Sequence, residues 1–152
     1  MEYDKISFDN VKAEIESIFS LKTSDKWNIV PDDINKLANS GHIKLEWNKI
    51  DWWNSFEYGN FDVSNDQFFG ILFEQIKPSD SKVIIVTDEC FTDKFAYQTD
   101  FKNLAEFADT IYSNIHKMNF FQPHDYIFVF PNDKLLTILH HSGYIMQFRN
   151  TR

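Results

Sequence analysis

The sequence predicts an α+β fold in a single domain: a mainly antiparallel sheet ending in a C-terminal three-strand meander, with about four helices packed against it. Three observations predict it. Tyr126–Phe130, Leu135–His140 and Tyr144–Phe148 are strand-sized apolar runs separated only by short turns, and strands joined so closely must run antiparallel. Upstream, apolar residues recur at helical spacing in three segments. A chain of 152 residues with only four glycines and four prolines can bury one proper core and shows no linker composition.

The elements follow in order. Ser7 or Asp9 can cap a first helix in which Val11, Ile15, Ile18 and Phe19 share a face. Leu21–Val30 is polar and turn-like. Pro31 suits the first position of a short helix, Asp32 and Asp33 its positive end, and Gly41 the position past its end. Ile43, Leu45 and Trp47 alternate with Lys44 and Glu46, which predicts a half-buried strand. Lys49–Val63 fits neither period and reads as a long loop. Ser64 and Gln67 have capping-box spacing and open a helix from Asn65 to about Ile76, ended by Pro78 and the following Ser-Asp-Ser. Lys82–Thr87 contains Val-Ile-Ile-Val, a strand covered on both faces and therefore central. Asp88–Gln98 reads as a second loop. Thr99 or Asp100 caps the clearest helix, with Leu104, Phe107, Ala108, Ile111, Tyr112 and Ile115 as its apolar stripe. Pro131-Asn132-Asp133 and His141-Ser142-Gly143 are the turns of the meander.

The net charge of −8 is concentrated in residues 1–76, which carry −7 of it. The only arginines, Arg149 and Arg152, lie at the C-terminus, so the chain lacks the basic footprint of a nucleic-acid binder. A single cysteine, Cys90, rules out an intrachain disulfide and suits a reducing compartment. The acidic start, Met1-Glu2-Tyr3-Asp4-Lys5, has no apolar stretch after it, and the longest apolar runs are far below membrane-spanning length. The expectation is a soluble cytoplasmic protein with no membrane partner.

Catalytic signals are weak. Asp88-Glu89-Cys90 follows the central strand, where sites collect in parallel α/β folds, and Cys90 with His140 or His141 would make the nucleophile and base of a small hydrolase. The two preceding carboxylates, however, would raise the thiol pKa rather than lower it. His140 and His141 are adjacent on a predicted strand, so their rings should point to opposite faces and not share a metal. No His-Glu-x-x-His, paired cysteines or acidic calcium loop occurs, so no metal and no cofactor is expected. His116, near a helix C-terminus, and His124, in a loop after Pro123, read as structural. Glycines in no G-x-G cluster exclude the usual phosphate-cradling loops, and there is no G-x-S-x-G.

The most informative stretch lies between Ile50 and Ile76. It has no lysine or arginine, yet it holds Asp51, Glu57, Asp62, Asp66 and Glu74 among Trp52, Trp53, Phe56, Tyr58, Phe61, Phe68, Phe69 and Phe73. Carboxylates steer a cationic partner, and Trp and Tyr rings anchor it. Phe68, Phe69 and Phe73 belong to the helix opened by Ser64 and read as core. Trp52 and Trp53 are adjacent, so in an extended chain at most one faces inward. A partner-binding surface is therefore assigned to Asp51, Trp52, Trp53, Glu57, Tyr58 and Asp62. Stacking of a sugar or peptide on Trp52 and Trp53 is the alternative use of the same residues.

Taken whole, the chain resembles the small immunity proteins of bacterial contact-dependent inhibition and polymorphic toxin systems: a single acidic α+β domain, rich in Trp and Phe, without a catalytic motif. Tyr58-Gly59-Asn60-Phe61-Asp62 is also similar to a segment of barstar, a ribonuclease inhibitor. The resemblance implies tight one-to-one binding of a cognate protein toxin, often a nuclease with a basic cleft. Acidic residues would fill its phosphate-binding positions, and neutralisation would need no turnover.

Overall fold

The computed structural model describes residues 2–19 and 42–152. Its strands are β1 (Asp4–Ser7), β2 (Ile43–Lys49), β3 (Lys82–Val86), β4 (Phe95–Asp100), β5 (Tyr126–Phe130), β6 (Leu135–Leu139) and β7 (Tyr144–Asn150). They form one seven-stranded sheet in the order β1-β4-β3-β5-β6-β7-β2. Every neighbouring pair is antiparallel. The α+β class and the C-terminal meander are as the sequence predicts, and β3 lies inside the sheet. The turn expected over Leu21–Val30 and the helix expected after Pro31 lie outside the described residues.

Two strands go beyond the sequence reading. β1 is a four-residue edge strand with only Ile6 partly buried, too short and too polar to show a period. β4 lies in the segment read as a loop, because a six-residue helix, α4 (Asp88–Asp93), precedes it and neither piece is long enough to register. The remaining helices are α1 (Phe8–Phe19), α2 (Trp53–Glu57) and α3 (Asn65–Leu72). A composite α5 follows, α-helical over Leu104–Glu106, π-helical over Phe107–Tyr112 and α-helical again over Ser113–His116. The wider π turn lets Phe107, Ala108 and Tyr112 all reach the core. It also rotates the end of the predicted stripe outward, leaving Ile115 exposed.

Strand register assigns the two faces. One carries Tyr97, Ile85, Tyr126, Phe128, Phe130, Thr137, Ile145 and Gln147. It is covered by an aromatic layer from α3, α5 and the segment before β5, including Phe69, Phe73, Phe107, Phe120 and Phe121, with ring centroids at 4.1 to 6.5 Å. Gln147 is buried within this layer. Its amide accepts the N–H of Ile76 (3.0 Å) and donates to the Ile76 carbonyl (2.8 Å) and to Thr137 Oγ1 (3.1 Å), fastening the chain after α3 to the sheet.

The other face is crossed by α1. Phe8 N–H bonds to Lys94 O beside β4 (3.2 Å), Glu14 pairs with Lys82 on β3 (3.5 Å), and Ile18 O accepts from Asn150 on β7 (2.7 Å). Twelve residues of helix span about 18 Å. Four strand spacings from β4 to β7 span about 19 Å. The helix therefore lies across the strands, with Val11, Ile15, Ile18 and Phe19 buried beneath it.

Candidate functional site

The stretch assigned to a partner folds as a short helix and a return. Ile50 N–H bonds to Gly143 O (2.9 Å), fixing the start of α2 against the β6–β7 turn. Gly59, at φ +77°, then terminates the helix in a conformation that suits glycine. A five-residue helix is too short for an apolar period, which is why Lys49–Val63 reads as a loop from sequence.

The two tryptophans part company on this helix. Trp53 is 1% exposed, and its Nε1 donates to His141 O at 3.0 Å. Its assignment to the partner surface is therefore corrected: the ring is core, and a stacking pair of Trp52 with Trp53 is not presented to solvent. Trp52 is half-buried, edge-on to Phe68 (5.3 Å) and stacked on Phe61 (4.8 Å, 19° between planes). Asp51, Glu57 and Asp62 are exposed, Tyr58 is 79% exposed and Phe61 is 43% exposed. Phe61 belongs to the surface with them, although the sequence reading did not single it out. Its stacking on Trp52 could not be read from spacing.

Beside this face lies an open hollow of about 420 Å³, walled by Phe56, Phe61 and Phe121 and carrying the carboxylates of Asp62 and Asp109. Asp109 Oδ1 accepts from Asn65 Nδ2 at 2.6 Å, holding the α3 end against α5. Among the described residues, no basic one lines it. Rings and carboxylates together make a receptacle for a cationic side chain.

A second polar cluster lies at the β6–β7 turn. β6 ends at Leu139, so His140 and His141 are not successive residues of a strand. Their rings stand side by side with centroids 4.0 Å apart, contrary to the opposite-face expectation. His141 N–H and Nδ1 both meet Asp125 Oδ1, at 2.7 and 3.0 Å, and His140 Nδ1 accepts the Ser142 N–H at 3.1 Å. Burial, the neighbouring His141 and, in opposition, Asp125 leave the His140 pKa below its ordinary value. The carboxyl of Asp88 is pushed up by burial against the pull of His124, 3.6 Å away.

No known protein family, curated protein or solved structure matches the chain. The geometry around Cys90 carries its own message. The thiol is buried, accepts the Thr87 N–H at 3.3 Å and lies 3.4 Å from Thr87 Oγ1. Burial pushes its pKa up, so it is held as a neutral thiol. The sheet is antiparallel throughout, so the argument that placed Asp88-Glu89-Cys90 at the carboxyl edge of a parallel sheet does not hold. Neighbouring Glu89 has Oε2 shielded from solvent without a hydrogen-bond partner. Burial works to raise its pKa, but bonding from Thr87, its own N–H and Tyr112, together with His116, holds it below the ordinary value. His116, half-buried, has Nε2 3.0 Å from Tyr97 Oη, a structural contact.

Proposed function

We propose that this chain is an immunity protein: it binds a cognate bacterial protein toxin one to one in the cytoplasm and blocks it through the surface around α2. One observation carries the reading. Tyr58 and Phe61 are large rings left exposed, and the carboxylates nearest them in the chain, Asp51, Glu57 and Asp62, are exposed as well, within a stretch devoid of lysine and arginine. A ring that costs solvation when exposed, set among like charges, suits an electropositive partner. The carboxylates steer association, the rings bury on contact, and the hollow beside Asp62 and Asp109 receives a basic side chain from the rim of the toxin's active site. Neutralisation is steric and electrostatic. A basic nuclease is the partner class that fits these charges best, because its substrate cleft offers the cations that phosphates would otherwise meet.

The test is a pull-down from the native host to identify the toxin, then co-expression with it, followed by size-exclusion chromatography with light scattering and a growth-protection assay. A 1:1 complex and protection are expected. The D51K/E57K/D62K variant should lose protection and slow association, most strongly at low salt. Failure of the unmodified chain to protect would reject the function. Unchanged binding by the triple variant would reject this surface alone.

A further inference from the structure

We propose that Asp125, His140 and His141 form a binding site for one divalent transition-metal ion. One ligand atom from each side chain already lies within 4.8 Å of the other two. A tetrahedral zinc-like ion with bonds of about 2.0–2.1 Å needs its ligand atoms about 3.3 Å apart, which small rotations of side chains at the surface supply.

The backbone beneath these side chains is already held. His140 N–H bonds to Tyr144 O and Gly143 N–H to His140 O, both at 2.8 Å, closing the turn. His141 donates its N–H to Asp125 and accepts the indole N–H of Trp53. With the backbone held, only the three side chains remain to be fixed on binding, which favours a site.

The donor set selects the ion. Two imidazoles and one carboxylate suit Zn²⁺, Co²⁺, Ni²⁺ or Cu²⁺, whereas Ca²⁺ and Mg²⁺ require mainly oxygen ligands. Three protein ligands leave at least one position for water. Coordination through His141 Nδ1 displaces its contact with Asp125, and coordination through His140 Nδ1 displaces the Ser142 N–H, so each of these bonds lost weakens binding. The site is independent of the partner surface and stands without a toxin.

The experiment is calorimetric titration of the untagged, chelator-treated chain with zinc chloride, alongside histidine ring NMR of the same protein. One zinc per chain is expected, with the His140 and His141 ring resonances shifting together. H140A, H141A and D125N should each weaken binding by about tenfold or more, and H42A should bind as the unmodified chain does. Equimolar Mg²⁺ or Ca²⁺ should not compete. No saturable binding up to about 1 mM zinc would overturn the proposal. Unshifted His140 and His141 rings, or an equal loss of affinity in H42A, would overturn it too.

Discussion

Replacing Gly143 by alanine should weaken the fold severely, because the turn glycine and the buried indole of Trp53 occupy adjoining space. A Cβ on residue 143 would lie 2.4 Å from Trp53 Cγ, 2.7 Å from Cδ2 and 2.8 Å from Cβ, all inside van der Waals contact. The residue also has φ +87°, a conformation that costs a non-glycine residue about 1–2 kcal/mol. Trp53 cannot retreat without leaving the core and its bond to His141 O. Overpacking of this kind costs about 1–3 kcal/mol, so the two effects together come to about 2–5 kcal/mol. With a urea dependence of about 2 kcal/mol per molar, the midpoint should fall by about 1–2.5 M. Equilibrium urea unfolding followed by tryptophan fluorescence measures it. The W53L/G143A double variant separates the causes. Removing the ring removes the clash, so the two changes should be less than additive by about 1 kcal/mol or more. An unchanged midpoint in G143A, or strict additivity in the double variant, would refute the packing of α2 against this turn.

Other outcomes follow from the same structure. Gln147→Ala strands the N–H and C=O of Ile76 inside the core. It should lower stability by about 2–4 kcal/mol, and a thermal melt within a degree of the unmodified chain would contradict it. Tyr58→Ala should leave the thermal midpoint nearly unchanged, since its ring is largely exposed, whereas Phe61→Ala also loses the stacking on Trp52 and should lower it slightly. Each should nevertheless weaken toxin binding by about 1–2 kcal/mol, or roughly 5- to 30-fold, by calorimetry. Burial raises the pKa values of Tyr97, Tyr112 and Tyr126 well above the ordinary tyrosine value. Their contribution is complete below about pH 10, the unfolded value, and is lost as pH rises from there toward the folded values. Far-UV circular dichroism should therefore collapse together with phenolate absorbance on alkaline titration. Ionisation of all six tyrosines near pH 10 with the fold intact would count against the packing.

What could be read from sequence depended on length of pattern. The Ser64–Gln67 capping box is realised as both of its reciprocal bonds, and the Val-Ile-Ile-Val run is buried on both faces, because each signal is carried by local chemistry or by continuous hydrophobicity. β1, β4, α2 and α4 are each six residues or fewer, and alternation or helical period cannot emerge over so few positions. At α2, the adjacency of Trp52 and Trp53 allowed at most one inward ring, and only the β6–β7 turn decides which. The histidine cluster hinged on where β6 ends. With β6 ending at Leu139 the two rings come together, whereas a strand continued through His141 would have parted them. Asp125 arrives there through the β5–β6 pairing, in which Tyr126 faces Leu139, a contact that local sequence does not encode.

The strand order has a bearing on how the chain is made. β3 to β7 form a contiguous block of the sheet and all come from residues 82–150, mostly through near neighbours in sequence. β1 and β2 leave the ribosome first, yet they sit at opposite margins and have no partners until β4 and β7 exist. β1 and β2 thus arrive last in the folded sheet, covering the margins of the five-strand block and becoming the edges themselves. A nascent chain halted before β7 would leave both β6 and β2 without their partner, so the final strand governs when the sheet is complete.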